Sequence, residues 1–139
     1  SLQSVLLTDA SALYGIGYAL CQKTEDQTNL VNCGSKSLSP AESRYAVIEL
    51  ECLAIKWAIL DNDYYLRGIQ TFHVLTDHRP LLGIFSKPLN ELTNPRLLRF
   101  REALSGFCFT LEWVEGKNHL IADALSRNPV FGHEECLPG

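Results

Sequence analysis

No methionine occurs anywhere in this chain of 139 residues. Without an initiating residue, it is expected to be a piece of something longer. The sequence also has no apolar run near the roughly 20 residues that a membrane-spanning helix needs. That excludes a spanning segment and leads us to expect no membrane partner. Nor does it open with a basic stretch and an apolar core, so no secretory signal is read. Positive charge is in short supply: 12 Lys and Arg stand against 16 Asp and Glu, a net charge of −4. Bulk attraction to a polyanion is therefore excluded, and binding to nucleic acid would need local basic clusters or cations held by acids. The five cysteines (Cys21, Cys33, Cys52, Cys108 and Cys136) include no C-x-x-C pair. This spacing excludes an ordinary zinc site and predicts buried, reduced thiols in a cytoplasmic protein.

What is present is the composition of a globular domain, with 46% hydrophobic and 20% charged residues and enough length to bury a core. Residues 4–8, 15–21 and 30–34 read as three sequential strands, with a polar hairpin loop at 23–29. The period then changes. Ser39-Pro40-Ala41-Glu42 has the pattern of a helix start, with a cap, a first-turn proline and an acid three residues after the cap. Leu50, Leu53, Ala54 and Trp57 continue it at helical spacing to about Leu60. A fourth strand at 71–76 follows, then a short helix or turn at 79–85, a polar loop, a helix at 95–105, a fifth strand at 107–114 and a final helix at 119–127. The order predicts an α/β fold: a five-stranded mixed sheet, with three antiparallel strands and then two added through helices, flanked by helices. The domain is expected to occupy residues 1–129, with 130–139 as a tail or linker.

Four segments carry acids in a telling way. Asp9 and Asp77 each end an apolar strand and each follow a threonine. One such Asp is an ordinary turn or cap residue. Two, on strands joined by a helical crossover, would emerge on the same sheet edge if those strands are parallel neighbours, and that is the edge open α/β sheets use for ligands. Glu49 and Glu51 lie two apart on the central helix and point about 200° apart, so only one can face that edge. Val47, Ala54 and Ala58 beside Glu51 leave room for a pocket. Tyr45, Cys52 and Lys56 beside Glu49 suggest a solvated shoulder with an ion pair. Helix geometry leans to Glu51 without settling the choice. Asp123 sits between two small residues, Ala122 and Ala124, which allow close approach. Carboxylates brought together from several elements suit hard divalent cations. Two such ions about 4 Å apart hydrolyse phosphodiesters by activating water and stabilising the departing oxygen.

The motifs that carry these acids resemble the ribonuclease H domain of long-terminal-repeat retrotransposons of the Ty3/gypsy class. The resemblance runs through Leu7-Thr8-Asp9-Ala10-Ser11 with Gly15-Ile16-Gly17, and through Ser39-Pro40-Ala41-Glu42. It continues through Glu49-Leu50-Glu51-Cys52-Leu53-Ala54-Ile55-Lys56-Trp57-Ala58 and Thr76-Asp77-His78-Arg79-Pro80-Leu81. It ends on Gly116-Lys117-Asn118 and Ala122-Asp123-Ala124-Leu125-Ser126-Arg127. The resemblance implies an RNase H-like fold, and an endoribonuclease that cuts the RNA strand of RNA–DNA hybrids during reverse transcription. Products would carry 5′-phosphate and 3′-hydroxyl ends, and the cofactor would be two Mg²⁺ or Mn²⁺. The family register makes Asp9, Glu51, Asp77 and Asp123 the catalytic and metal-holding acids, and it chooses Glu51 over Glu49. It also implies a fused or associated reverse transcriptase, a Pol polyprotein, and a cytoplasmic location in virus-like particles.

In one respect the chain departs from broader RNase H enzymes. The loop before the last Asp, Val114-Glu115-Gly116-Lys117, lacks the histidine that many carry there, and His119 does not match that position. This bears on turnover rather than on chemistry. Candidate substrate contacts are Ser11, His78, Arg96, Arg99 and Arg101. Recognition is expected to rest on backbone shape and 2′-hydroxyls. No basic insertion follows the central helix, which predicts weak hybrid binding without the polymerase. The alternative reading is a weak or inactive RNase H-like tether within a polyprotein.

Overall fold

The computed structural model describes residues 2–115. The expectations placed on 116–139, namely the last helix, Asp123, His119 and the 130–139 tail, lie outside the described residues.

Strand β1 (Gln3–Ser11) pairs antiparallel with β2 (Gly15–Lys23), and β2 pairs antiparallel with β3 (Thr28–Lys36). Strand β4 (Phe72–Thr76) lies parallel to β1, and β5 (Phe109–Trp113) lies parallel to β4. The sheet order is β3-β2-β1-β4-β5, the mixed sheet expected. β1 runs to Ser11, past the turn expected at Asp9, because Asp9, Ala10 and Ser11 all pair with the start of β2. Where β2 begins beside the end of β3, only Gly15 fits. Its φ is +102°, and a Cβ there would meet the Lys36 carbonyl oxygen at 2.2 Å.

β1 is the central strand, and it is buried on both faces. Leu6 joins Ile16, Tyr18 and Leu20 in the main core, while Val5 and Leu7 join Ala19, Cys21 and Leu30 on the opposite face. This explains why 5–7 reads as an unbroken apolar run rather than an alternation. β4 does alternate: Phe72 and Val74 are fully buried, and His73 and Leu75 are partly exposed.

Helix α1 (Val47–Asp61) crosses the main-core face between β3 and β4, followed by α2 (Asp63–Leu66). Helices α3 (Pro80–Ser86) and α4 (Pro95–Ala103) fill the β4–β5 connection. The start of α1 differs from the expectation. Ser39 and Glu42 do exchange their reciprocal bonds, at 2.9 and 3.1 Å, but they close a 3-10 turn at Glu42–Arg44. Ala46 then adopts an extended backbone (ψ 155°), and α1 begins only at Val47. All seven residues from Glu49 to Ile55 are buried, because α1 packs against α4 as well as against the sheet. Trp57, expected in the stripe, is half-buried, with its ring edge-on to Tyr18 at 5.2 Å.

The far end of α1 is held by polar contacts. The Tyr18 hydroxyl donates to Asp61 and accepts from Asn32 Nδ2 at 3.1 Å. Asn32 also donates to Asn62 Oδ1 at 2.9 Å, and Asn62 Nδ2 donates to the Ala58 carbonyl at 2.7 Å. Burial, then the bond to Asp61, pushes the Tyr18 hydroxyl pKa well above its ordinary value. Cys21 and Cys52 are buried free thiols, as read, but Cys108 is free and exposed. Cys33 is disulfide-bonded, which corrects the expectation of a reduced thiol there. Among the described residues, no helix is long and apolar enough to cross a membrane.

Candidate active site

The register of the central pair sets the site. Val5, Leu6 and Leu7 pair with His73, Val74 and Leu75. Two residues further along each strand, Asp9 and Asp77 reach the same sheet edge, and both are exposed. Buried Thr8 and Thr76 precede them. The Thr76 hydroxyl accepts the His78 backbone N–H at 3.1 Å and so shapes the turn that carries Asp77. Trp113 Nε1–H donates to the Asp77 carbonyl at 3.3 Å, and the Arg79 guanidinium lies 4.2 Å from the Trp113 ring centroid. The sequence reading singled out neither contact, since both depend on β5 lying beside β4.

Glu51 enters from the second turn of α1, at 7% exposure. Asp9, Glu51 and Asp77 each present an oxygen, and these oxygens all lie within 4.8 Å of one another. In octahedral coordination at about 2.1 Å, neighbouring ligands lie about 3 Å apart and opposite ones about 4.2 Å, so the oxygens would draw closer together to share one ion. Three hard oxygen donors on three elements therefore fit a Mg²⁺- or Mn²⁺-type ion. Asp123, the fourth expected acid, lies outside the described residues.

Glu49 takes a different place from the solvated shoulder expected of it. It is buried, and it pairs with Arg96 rather than with Lys56. Donation from Asn94, followed by the Ala46 N–H and Arg96, holds its carboxyl pKa below the ordinary value.

The candidate substrate contacts are distributed as follows. Ser11 Oγ accepts the Leu13 and Tyr14 backbone N–H groups at 3.2 and 3.3 Å, shaping the β1–β2 turn beside Asp9. His78 is half-buried directly after Asp77. Arg96 bonds to Glu49 and lies over the Tyr45 ring at 3.9 Å. Arg101 donates to the Ile84 carbonyl at 3.2 Å and to the Lys87 carbonyl, strapping α4 to the end of α3. Arg99 is exposed at a recess of about 480 Å³ that it shares with Glu49, Thr93, Asn94, Pro95 and Arg96.

A family model for the RNase H-like domain found in reverse transcriptase matches residues 1–107. The chain belongs to that family. Its relatives are retroelement polyproteins. It is 37% identical over 124 residues to the retrovirus-related Pol polyprotein from transposon opus of Drosophila melanogaster, a match covering 89% of this chain and 12% of the relative. It is also 37% identical over 140 residues to the transposon Tf2-3 polyprotein of Schizosaccharomyces pombe, covering 99% of this chain and 10% of the relative. The chain thus spans about a tenth of the length of these curated relatives. Among solved structures, it resembles an N-terminal RNase H domain from Mycobacterium tuberculosis, with a TM-score of 0.60 at 18% identity over 91% of this chain and 96% of that one. It also resembles RNase H1 of Halobacterium salinarum, with a TM-score of 0.55 at 16% identity over 91% and 98%. The α/β architecture expected from the motifs is therefore the fold of RNase H domains.

Proposed function

We propose that this domain is a metal-dependent endoribonuclease that hydrolyses the RNA strand of RNA–DNA hybrids. The observation that carries the reading is the convergence of Asp9, Glu51 and Asp77 within 4.8 Å from β1, α1 and β4. These acids, with Asp123 as the fourth, would hold two Mg²⁺ or Mn²⁺. Cations bound there supply Lewis-acid activation of water and offset charge on the departing oxygen. Buried Glu51 gives a ligand of fixed position, while exposed Asp9 and Asp77 stay open to substrate. A water oxygen bonds to phosphorus, the bond from phosphorus to the 3′-oxygen breaks, and that oxygen leaves with a proton. The products are a 5′-phosphate and a 3′-hydroxyl.

Arg99, exposed at the recess it shares with Glu49 and Arg96, is the proposed phosphate contact from α4; Arg101 lies further along the same helix. Ser11 and His78 flank the acids at the sheet edge. The family and the polyprotein relatives support a setting in Ty3/gypsy-type reverse transcription, beside a reverse transcriptase and inside cytoplasmic virus-like particles.

The test is cleavage of a labelled RNA–DNA hybrid by this chain with Mg²⁺ and with Mn²⁺, alongside Asp9→Asn and a duplex-DNA substrate. Metal-dependent cutting of hybrid RNA alone, abolished in the variant, is the expected result. If the chain stays silent with both metals, and stays silent again with the polymerase fused, the nuclease reading gives way to the tether.

A further inference from the structure

Glu49 and Glu51 leave α1 in opposing directions, and Glu49 has no place in the acid cluster. Its carboxylate is nevertheless buried and fully used. Oε1 accepts the Ala46 backbone N–H at 3.0 Å and Arg96 Nη1 at 3.1 Å, and Oε2 accepts Asn94 Nδ2 at 2.9 Å. The other end of Asn94 caps α4: its Oδ1 accepts the backbone N–H groups of Arg96 and Leu97 at 2.9 and 3.3 Å. One side chain thereby joins the residue before α1, the first turn of α1 and the cap of α4.

We propose that Glu49 is a positioning residue for the metal site. By holding the first turn of α1 against α4, it keeps Glu51 within reach of Asp9 and Asp77. The inference rests on the metal-dependent reading above. A helix opens most easily in its first turn, where backbone N–H groups have no partner within the helix. Glu51 follows directly, and two like charges repel it. Unwinding the first turn would relieve that repulsion, and the Glu49 contacts oppose it. A glutamine cannot take over the role. Its amide would turn an N–H₂ toward Asn94 Nδ2, and Asn94 cannot flip without uncapping α4.

A merely structural role predicts lower stability with unchanged metal affinity, and the experiment separates the two. The parent chain, Glu49→Ala and Glu49→Gln are compared with Asn62→Ala, which removes a buried polar group at the opposite end of α1. Mn²⁺ binding is measured by calorimetry well below the melting temperature, and amide hydrogen exchange is followed across residues 47–51. Both Glu49 variants should bind Mn²⁺ about 10–100-fold more weakly and exchange faster in that turn, while Asn62→Ala stays within about twofold of the parent. If Glu49→Ala fails to fold, the isosteric Glu49→Gln carries the test. A folded Glu49 variant that binds Mn²⁺ like the parent, or exchanges like it in the first turn, overturns the proposal. A parent chain that binds no Mn²⁺ overturns the metal reading itself, and that is a distinguishable result.

Discussion

Replacing Asp77 by Asn preserves the side chain's shape and removes one of three charges whose oxygens lie within 4.8 Å of one another. In metal-free buffer, two like charges at that distance repel by about 3.5 kcal/mol at an effective dielectric near 20, and by about 0.9 kcal/mol at that of water. Asp9 and Asp77 are exposed while Glu51 is buried, so the relief should fall toward the lower bound, at about 1–2 kcal/mol. For a domain of this size that corresponds to a melting temperature roughly 4–8 °C higher in EDTA. Saturating Mn²⁺ should reverse the order. A ligand at 100 times its dissociation constant adds about 2.7 kcal/mol to the protein that binds it. The parent collects this stabilisation, and the variant, short of a ligand, collects less. Melting curves of both proteins in EDTA and in Mn²⁺ provide the assay. An Asn variant that melts below the parent in EDTA, or that gains as much from Mn²⁺, would refute the reasoning. Hybrid cleavage should be lost in the same variant.

Three further outcomes are expected. Tyr18→Phe removes the hydroxyl that joins Asp61 and Asn32, and should cost about 1–2 kcal/mol in denaturant melts while hybrid cleavage persists; a neutral substitution would show that this network does not anchor α1. Glu49, with its carboxyl pKa held below the ordinary 4.5, contributes stability that is present above that value and is lost as pH falls through the folded-state value. The stability gap between the parent and Glu49→Gln should therefore narrow on acidification from pH about 5 to about 3, and a widening gap would contradict the assignment. Burial pushes the thiol pKa of Cys21 up to about 11 and that of Cys52 up to about 12, whereas Cys108 is exposed. A thiol reagent at neutral pH should label Cys108 in the native protein and reach Cys21 and Cys52 only on unfolding, as peptide mass mapping would show.

The strands were legible because their cause is local. The apolar run ending in Thr8-Asp9, its counterpart ending in Thr76-Asp77, and the three-strand meander predicted the sheet and the shared edge of the two aspartates. The start of α1 was not legible in the same way. Ser39 and Glu42 do make the reciprocal bonds their spacing suggests. Such a pair specifies where a turn opens, however, and not how far it propagates, and the extended Ala46 interrupts it. Glu49 looked like a solvated shoulder because helix periodicity sees one face at a time. Its burial comes from α4, some 45 residues away, and no window on α1 contains Asn94 or Arg96. The same holds for Arg101, read as a candidate substrate contact, whose guanidinium serves the backbone at the end of α3.

The parallel pairing of β1 with β4 also sets a clock. β2 and β3 follow β1 in sequence and pair through short turns. The other neighbour of β1 arrives only after α1 and α2 have been laid down, with Asp77 about seventy residues beyond Asp9. Closing the longer loop costs more chain entropy, so the meander forms ahead of the parallel pair. Until β4 docks, Asp77 is not beside Asp9 and Glu51, and the three-acid cluster is incomplete. On the metal-dependent reading proposed above, the ability to hold metal therefore switches on late in folding instead of growing with it. If the domain is the nuclease proposed above, a half-folded copy resting on nucleic acid would be harmless to it.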